Sequence, residues 1–354
     1  MLRRAGQVLV RLAVPVAALA AAFLLGALAI WTRGASPGTA YAALFSGAGG
    51  DLDSLGTTVE KATPLVLTGL AVCLGYRGGV FNIGAEGQLI VGGMAATAVG
   101  LRCTLPAPMP AVLALGAGAA AGALWALVPG LLRARRGVNE VITTLMLNTV
   151  AAQLLAWAVR ADLGTGGIAG WFGLKDPGQP FPRSATLPVG ARLPDVWSAM
   201  PLNAGALVSL AAVVVVYLVL TRTTFGFALA VVGANPRAAR VAGIPVERTL
   251  LGTMLASGAL AGLAGAVEIC ATQHRIIDDF LAGGGYDGIP VALVGLLHPG
   301  GVLAAAVFFG GLRAGANTMQ IATGVPAALV AMLKSLAIVA VVAASTIRAR
   351  RGSS

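Results

Sequence analysis

Charge is what this sequence has least of: 10% of its 354 residues are Asp, Glu, Lys or Arg, whereas a soluble globular protein carries about 25%. Lysine occurs three times, as Lys61, Lys175 and Lys334, and none of them follows a glycine. A phosphate-binding loop of the G-x-x-x-x-G-K-[ST] kind is therefore excluded, and with it ATP binding by that device. Neither an H-E-x-x-H zinc motif nor a G-x-S-x-G nucleophile elbow occurs. No catalytic residue and no metal ligand is assigned, and an enzyme reading has little to stand on. The three cysteines, Cys73, Cys103 and Cys270, are scattered without a C-x-x-C pair, so they read as small packing residues. The net charge of +11 sits at the ends of apolar segments instead of forming a patch with interleaved aromatics, which argues against a nucleic-acid partner.

Apolar residues make up 57% of the chain, and runs such as 12–31, 111–132, 205–221 and 249–267 are free of charge. About 20 such residues cross a bilayer. The expected fold is an all-α polytopic membrane protein, a single transmembrane domain over 1–354. Passages are expected near 12–31, 62–76, 83–101, 111–132, 141–159, 205–221, 249–268, 287–297, 301–315 and 326–347, about ten in all. The run 287–297 is too short for a hydrocarbon core of about 30 Å, since each helical residue adds about 1.5 Å. It is expected to be a half-helix or a re-entrant element. The basic start and long apolar run at 1–31 read as a retained first span, without a clear cleavage site.

Arginines concentrate in one set of loops, among them Arg77, Arg133, Arg135, Arg136, Arg222, Arg237, Arg240 and Arg248, and near both ends of the chain. The positive-inside rule then places both termini in the cytoplasm. On that topology 160–204, rich in Gly and Pro, is an extracytoplasmic loop, and 222–248 is a cytoplasmic one. Within the latter, Pro236 opens and Gly243 closes a short helical stretch. So small a helix needs something to dock on. Glycine pairs at small-xxx-small spacing, Gly118 with Gly122, Gly258 with Gly262 and Gly311 with Gly315, predict close helix approaches.

Polar side chains within apolar spans are costly, about 2.5 to 3.5 kcal/mol for a charge at mid-bilayer, so each needs a partner or a water-filled path. GVFNIGAEGQLIVGG at 79–93 holds Asn82, Glu86 and Gln88. Asn82 and Glu86 are four apart and would share a helix face, with Gln88 pointing elsewhere if the helix is regular. The glycines at 84 and 87 put that regularity in question. These groups either line a solute pathway or form a structural polar network beside a broken helix. Glu140 lies near Arg133, Arg135 and Arg136 and predicts an ion pair, while Asn148 lies deeper and is the better solute contact. Asp287 could cap the short segment or line a vestibule, with capping favoured. His298 reads as interfacial, and Lys334 as a side chain snorkelling from the last span.

With these stretches in view, GVFNIGAEGQ at 79–88, NEVITTLMLN at 139–148, GANPRAARVAGI at 233–244, and YDGIPVALVG with HPGGVLAAAVFFGGLRAG over 286–315 resemble the permease subunits of bacterial nucleoside ABC importers, relatives of the ribose-type sugar permeases. The resemblance runs from about residue 60 to 345. It implies a plasma-membrane subunit that binds no cofactor itself. ATP would be bound by separate cytoplasmic subunits, beside a second permease and an extracytoplasmic substrate-binding lipoprotein. Gly233, Asn235, Ala238, Ala239, Gly243 and Ile244 correspond to the segment that docks on the ATPase. A ribose-type sugar importer is the nearest alternative, and a secondary transporter the alternative from another class. Lys334 departs from the apolar residue the resemblance would place there.

Overall fold

The computed structural model describes residues 20–21, 23–161, 173–197, 200–278, 280, 283–326, 329, 332 and 335. Lys334 and most of the expected span 326–347 lie outside them, as does the start of the expected first span, of which 23–31 are helical. Eleven helices follow: α1 (Pro37–Gly49), α2 (Leu52–Arg77), α3 (Ala85–Arg102), α4 (Met109–Arg136), α5 (Glu140–Ala158), α6 (Ala204–Arg222), α7 (Thr224–Ala234), α8 (Pro236–Val241), α9 (Val246–Val267), α10 (Gly288–Val294) and α11 (Pro299–Thr323). Among the described residues, six helical stretches are long and apolar enough to cross a membrane: α2, α4, α5, α6, α11, and α9 with its continuation to Gln273. The molecule is thus predominantly helical and a multi-pass membrane protein.

Local chemistry places the helix ends. Asn139, Asn203, Thr223 and Asn235 cap α5, α6, α7 and α8, each side chain accepting a backbone N–H of the first turn. Asp51 does the same ahead of α2, where its Oδ1 accepts the Ser54 N–H at 2.7 Å, a bond that holds this carboxyl below its usual range. Gly137 ends α4 at φ 65°, and its N–H and that of Val138 take up the Arg133 and Leu132 carbonyls. Helix α2 begins ten residues before the apolar run at 62–76. Nothing in DLDSLGTTVEK breaks a helix, and Pro64 is accommodated inside it. Two helices lay outside the sequence expectation. The first is α1. The second is α7, whose apolar residues 224–234 had been included in the cytoplasmic loop.

The chain divides into two compact units, 1–62 with 307–354, and 63–306. In the first, the Thr58 hydroxyl donates to the Ala48 carbonyl at 2.6 Å. A Cβ on Gly315 would overlap the Leu44 carbonyl, so α1 and the second half of α11 meet backbone to backbone. In the second unit the centre is a trio of α3, α4 and α9. The expected glycine pairs make it: a Cβ on Gly262 would overlap the Gly118 carbonyl oxygen and lie 2.8 Å from Gly122 Cα, and one on Gly122 would overlap the Gly258 carbonyl. Gly92 on α3 meets Gly262 in the same way, a contact that none of the expected glycine pairs announced.

Helix α9 continues into a π-helical stretch, Glu268–Gln273, which His274 closes at φ 53°. Its loosened carbonyls are met by the segment 184–203, within the expected external loop. Leu193 N–H donates to Cys270 O at 2.8 Å, Leu187 N–H to His274 O at 2.7 Å, and Asn203 Nδ2 to Ala271 O at 3.3 Å. The short run expected at 287–297 is a helix of seven residues, α10, and it ends where Leu296 and Leu297 both adopt φ 55°.

Candidate functional site

The polar residues of GVFNIGAEGQ are buried together where the irregular stretch 80–84 enters α3. The helix starts only at Ala85, so Asn82 lies outside it and cannot share a helical face with Glu86. The chain instead turns back, and Asn82 forms a reciprocal amide pair with Gln88: Asn82 Nδ2 donates to Gln88 Oε1 at 2.8 Å, and Gln88 Nε2 to Asn82 Oδ1 at 3.1 Å. Asn82 Nδ2 also donates to Ser257 Oγ at 2.8 Å, and that hydroxyl donates to the Ala71 carbonyl of α2 at 2.7 Å. Four strands of chain, from α2, 80–84, α3 and α9, are tied at one point.

Glu86 faces a different neighbour. Its carboxylate accepts the N–H groups of Gly283 at 2.8 Å, Gly285 at 2.6 Å and Tyr286 at 3.4 Å. Three backbone donors on one carboxylate make a nest for its charge, which is how an acidic group is tolerated at 7% exposure. Gly285 is required at that spot, since a Cβ would collide with the backbone of Ala85 and Glu86. Asn148 locks the same junction from α5. Its Oδ1 accepts Gly87 N–H at 2.9 Å, and its Nδ2 donates to Ile83 O and to Tyr286 Oη, both at 3.0 Å. Ser257 and Tyr286 were not singled out from sequence as members of this network, because each lies over a hundred positions from its partner in the chain.

The other expectations divide. Glu140 pairs with Arg133, Nε to Oε2 at 3.2 Å, as its spacing predicts, and in addition accepts Phe81 N–H at 3.2 Å. Asp287 stands at the start of α10, but its side chain makes no cap bond. That corrects the capping expectation: its own backbone is already helical, at φ −65° and ψ −19°, which carries the carboxylate away from the first-turn N–H groups. His298 does serve as a cap, its Nδ1 accepting Gly300 N–H at 3.2 Å at the start of α11. Arg313, inside the apolar helix α11, is a cation that the sequence reading passed over.

The 233–244 segment forms the expected small helix, but its residues play different parts. Asn235 Oδ1 accepts the N–H groups of Arg237 and Ala238. Ala239 is fully buried between Val232 and Val246, with Ile244 packed beside them. Gly233 sits against the turn at 77–79, where a Cβ would overlap the Arg77 carbonyl, and Gly243 turns the chain at φ 77°. These residues hold α8 onto α7 and α9. The outer face is made by Arg237, Ala238, Arg240 and Val241, the last 91% exposed. An apolar side chain that open at the tip of a helix beside two arginines is the feature that the alanine and glycine pattern had not pointed to.

Comparison with known proteins bears on this arrangement. The family model described as branched-chain amino acid transport system, permease component, matches residues 54–342. A guanosine ABC transporter permease of Bacillus subtilis is 37% identical over 95% of this chain and 94% of its own. A glucose ABC transporter permease of Haloferax volcanii is 39% identical over 92% and 85%. A nucleoside ABC transporter permease of Lactococcus lactis is 32% identical over 86% and 84%. Each of these organisms also has a second permease relative, at 28%, 31% and 26% identity respectively. No solved structure matches the chain. The bundle of apolar helices, the buried polar junction and a family match that spans both leave one assignment: the chain belongs to the permease components of branched-chain amino acid-type transport systems.

Proposed function

We propose that the chain is the membrane-spanning subunit of an ATP-driven importer of nucleosides in a bacterial plasma membrane. Full-length similarity to a guanosine permease, with a second nucleoside permease also among the relatives, supports the substrate class. In this reading ATP is bound by separate cytoplasmic subunits, a second permease completes the membrane part, and an extracytoplasmic lipoprotein delivers the solute. Both termini are cytoplasmic, and α10 is a re-entrant half-helix in a chain of about ten passages. The glucose permease relative keeps a simple-sugar importer as the second reading, since a nucleoside and a hexose both present a hydroxylated ring. Uptake of labelled guanosine into cells expressing the assembled importer tests the choice. Excess unlabelled uridine or adenosine should suppress it while glucose and ribose leave it unchanged, and suppression by the sugars alone would favour the second reading.

The observation that carries the ATP-driven part is α8, anchored through Ala239 yet presenting Val241 to solvent. ATP-driven closure of the ATPase pair would push on this helix and shift the bundle between two states, each favoured by a different set of contacts. The path is proposed to run beside the bonded side chains of Asn82, Glu86, Gln88 and Asn148, which brace its wall, with Asp287 at the start of α10 a candidate contact. Val241→Glu should reduce uptake by roughly tenfold or more, the equivalent of at least about 1.4 kcal/mol of coupling contact. The subunit should still reach the membrane at normal level, because Val241 touches little of its own chain. Normal uptake and normal co-purification of the ATPase with this variant would remove α8 from the coupling role. Ala239→Glu is a poorer test, since it puts a charge between Val232 and Val246 and undocks the helix itself.

A further inference from the structure

Helix α5 differs from its neighbours in sequence, α4 and α6, in what it exposes. Between their ends, the exposed positions of α4 and α6 are Leu, Val, Ala and Gly, with Tyr217 near one end, the composition of a surface that meets lipid tails. The exposed face of α5 is broader and includes two polar positions: Thr149 and Gln153 stand beside Ile142, Met146 and Trp157 at steps of three and four, with Leu145, Val150 and Leu154 exposed on either side. Thr149 sits at the middle of this 19-residue helix, and Gln153 five residues before its end. Neither side chain has a hydrogen-bond partner among the described residues, whereas Asn148 on the opposite side of the same helix, and the Asn82 and Gln88 amides beside it, are buried and bonded. A primary amide turned toward hydrocarbon is out of place, and polar side chains on transmembrane helices serve to join them. Beside this face lies a cavity of about 720 Å³, walled by α3, α4 and α5, into which Trp125, Leu154 and Trp157 face. Its lining is almost wholly apolar, which suits the large side chains of another helix and not a nucleoside.

We propose that this face of α5 is where the second permease subunit docks, one of its helices filling the cavity with apolar side chains and setting a polar group opposite Gln153. The inference rests on the two-permease reading above, and goes beyond it by assigning the face. The occurrence of two permease relatives in each of three organisms fits a partner that is related but not identical. A bilayer lipid or a second copy of this chain would leave different traces.

The test uses the full chain co-expressed with the other family permease of its organism and with the ATPase. A photoreactive benzoylphenylalanine is placed at Met146, at Leu154 or, on the outward face of α6, at Leu210. Irradiation should join the two permeases covalently through 146 and 154 and not through 210. Adducts to lipid alone, adducts between two copies of this chain, or a heteromeric adduct formed only from 210 would each overturn the assignment. Gln153→Leu should lower the amount of second permease recovered with the chain by roughly tenfold, with Gln153→Asn restoring part of it and both variants as monodisperse as the parent. Undiminished recovery with Gln153→Leu counts against the amide's role. If the second permease never co-purifies with the unaltered chain, the two-permease reading itself fails. If it co-purifies but crosslinks elsewhere, only the assigned face does.

Discussion

Replacing Glu86 by alanine is expected to disassemble the junction between α3 and the turn before α10, so that little monodisperse protein survives detergent extraction. The carboxylate accepts from Gly283, Gly285 and Tyr286, and its removal strands three backbone N–H groups in a place where water is scarce. Each orphaned donor costs about 1 to 3 kcal/mol, a total comparable with the net stability of an ordinary domain, about 5 to 15 kcal/mol. Any protein recovered should melt on the order of 10 °C lower. Glu86→Gln should fall between, because the amide keeps one oxygen acceptor but turns two N–H donors toward donors. Thermal unfolding of the purified complex, read beside uptake, separates a brace from a pathway group. If Glu86→Ala melts and assembles normally and yet transports nothing, the carboxylate acts on the solute and the brace is wrong.

The second large effect is expected at Gly262. Its Cα hydrogen faces the Gly118 carbonyl and Gly122 Cα on α4, and Gly92 on α3 closes on it from the other side. A valine there cannot be accommodated by a rotamer change, because the atoms it meets are backbone. The trio would have to spread, giving up packing along its length, and overpacking of this kind costs about 1 to 3 kcal/mol or more. Gly262→Val should therefore abolish recovery of folded protein, and Gly262→Ala should lower the melting temperature clearly. Gly116 on α4 provides the control: nothing lies within 4 Å of the Cβ it would gain, and alanine is the better helix former. Gly116→Ala should match or slightly exceed the parent. Equal behaviour of the two alanine variants would show that the helix contact is softer than its geometry indicates.

Both predictions concern residues that were visible in the sequence, but for reasons that were visible only in part. The i, i+4 spacing of Gly118 with Gly122 and of Gly258 with Gly262 announced that backbones would approach. Which helices approach, and that Gly92 joins them, depends on the packing of three segments far apart in the chain. Glu86, Asn82 and Gln88 stood out because polar groups in an apolar run need partners. Asn82 and Gln88 find each other locally, but the further partners of Asn82 and Glu86, Ser257 and the 283–286 backbone, lie about 170 to 200 positions away. Val241 was missed altogether, since an exposed valine looks like any other apolar residue until its neighbours are known to leave it bare.

By itself the sequence determined that this is a helical membrane protein, where most of its apolar helices run, and that a helix of one to two turns opens at Pro236. Those features are set by local chemistry: the length of uncharged runs, the proline at a helix start, the glycine past its end. Only the tertiary structure decided that the polar groups at 82–88 and 148 are bonded to one another and to distant backbone, that Asp287 does not cap α10, and that Gln153 turns outward. The reason is that nearly every position in these helices is apolar. Hydrophobic periodicity then fades, the rotation of each helix becomes unreadable along the chain, and the direction of a polar side chain is settled by distant segments packing against it.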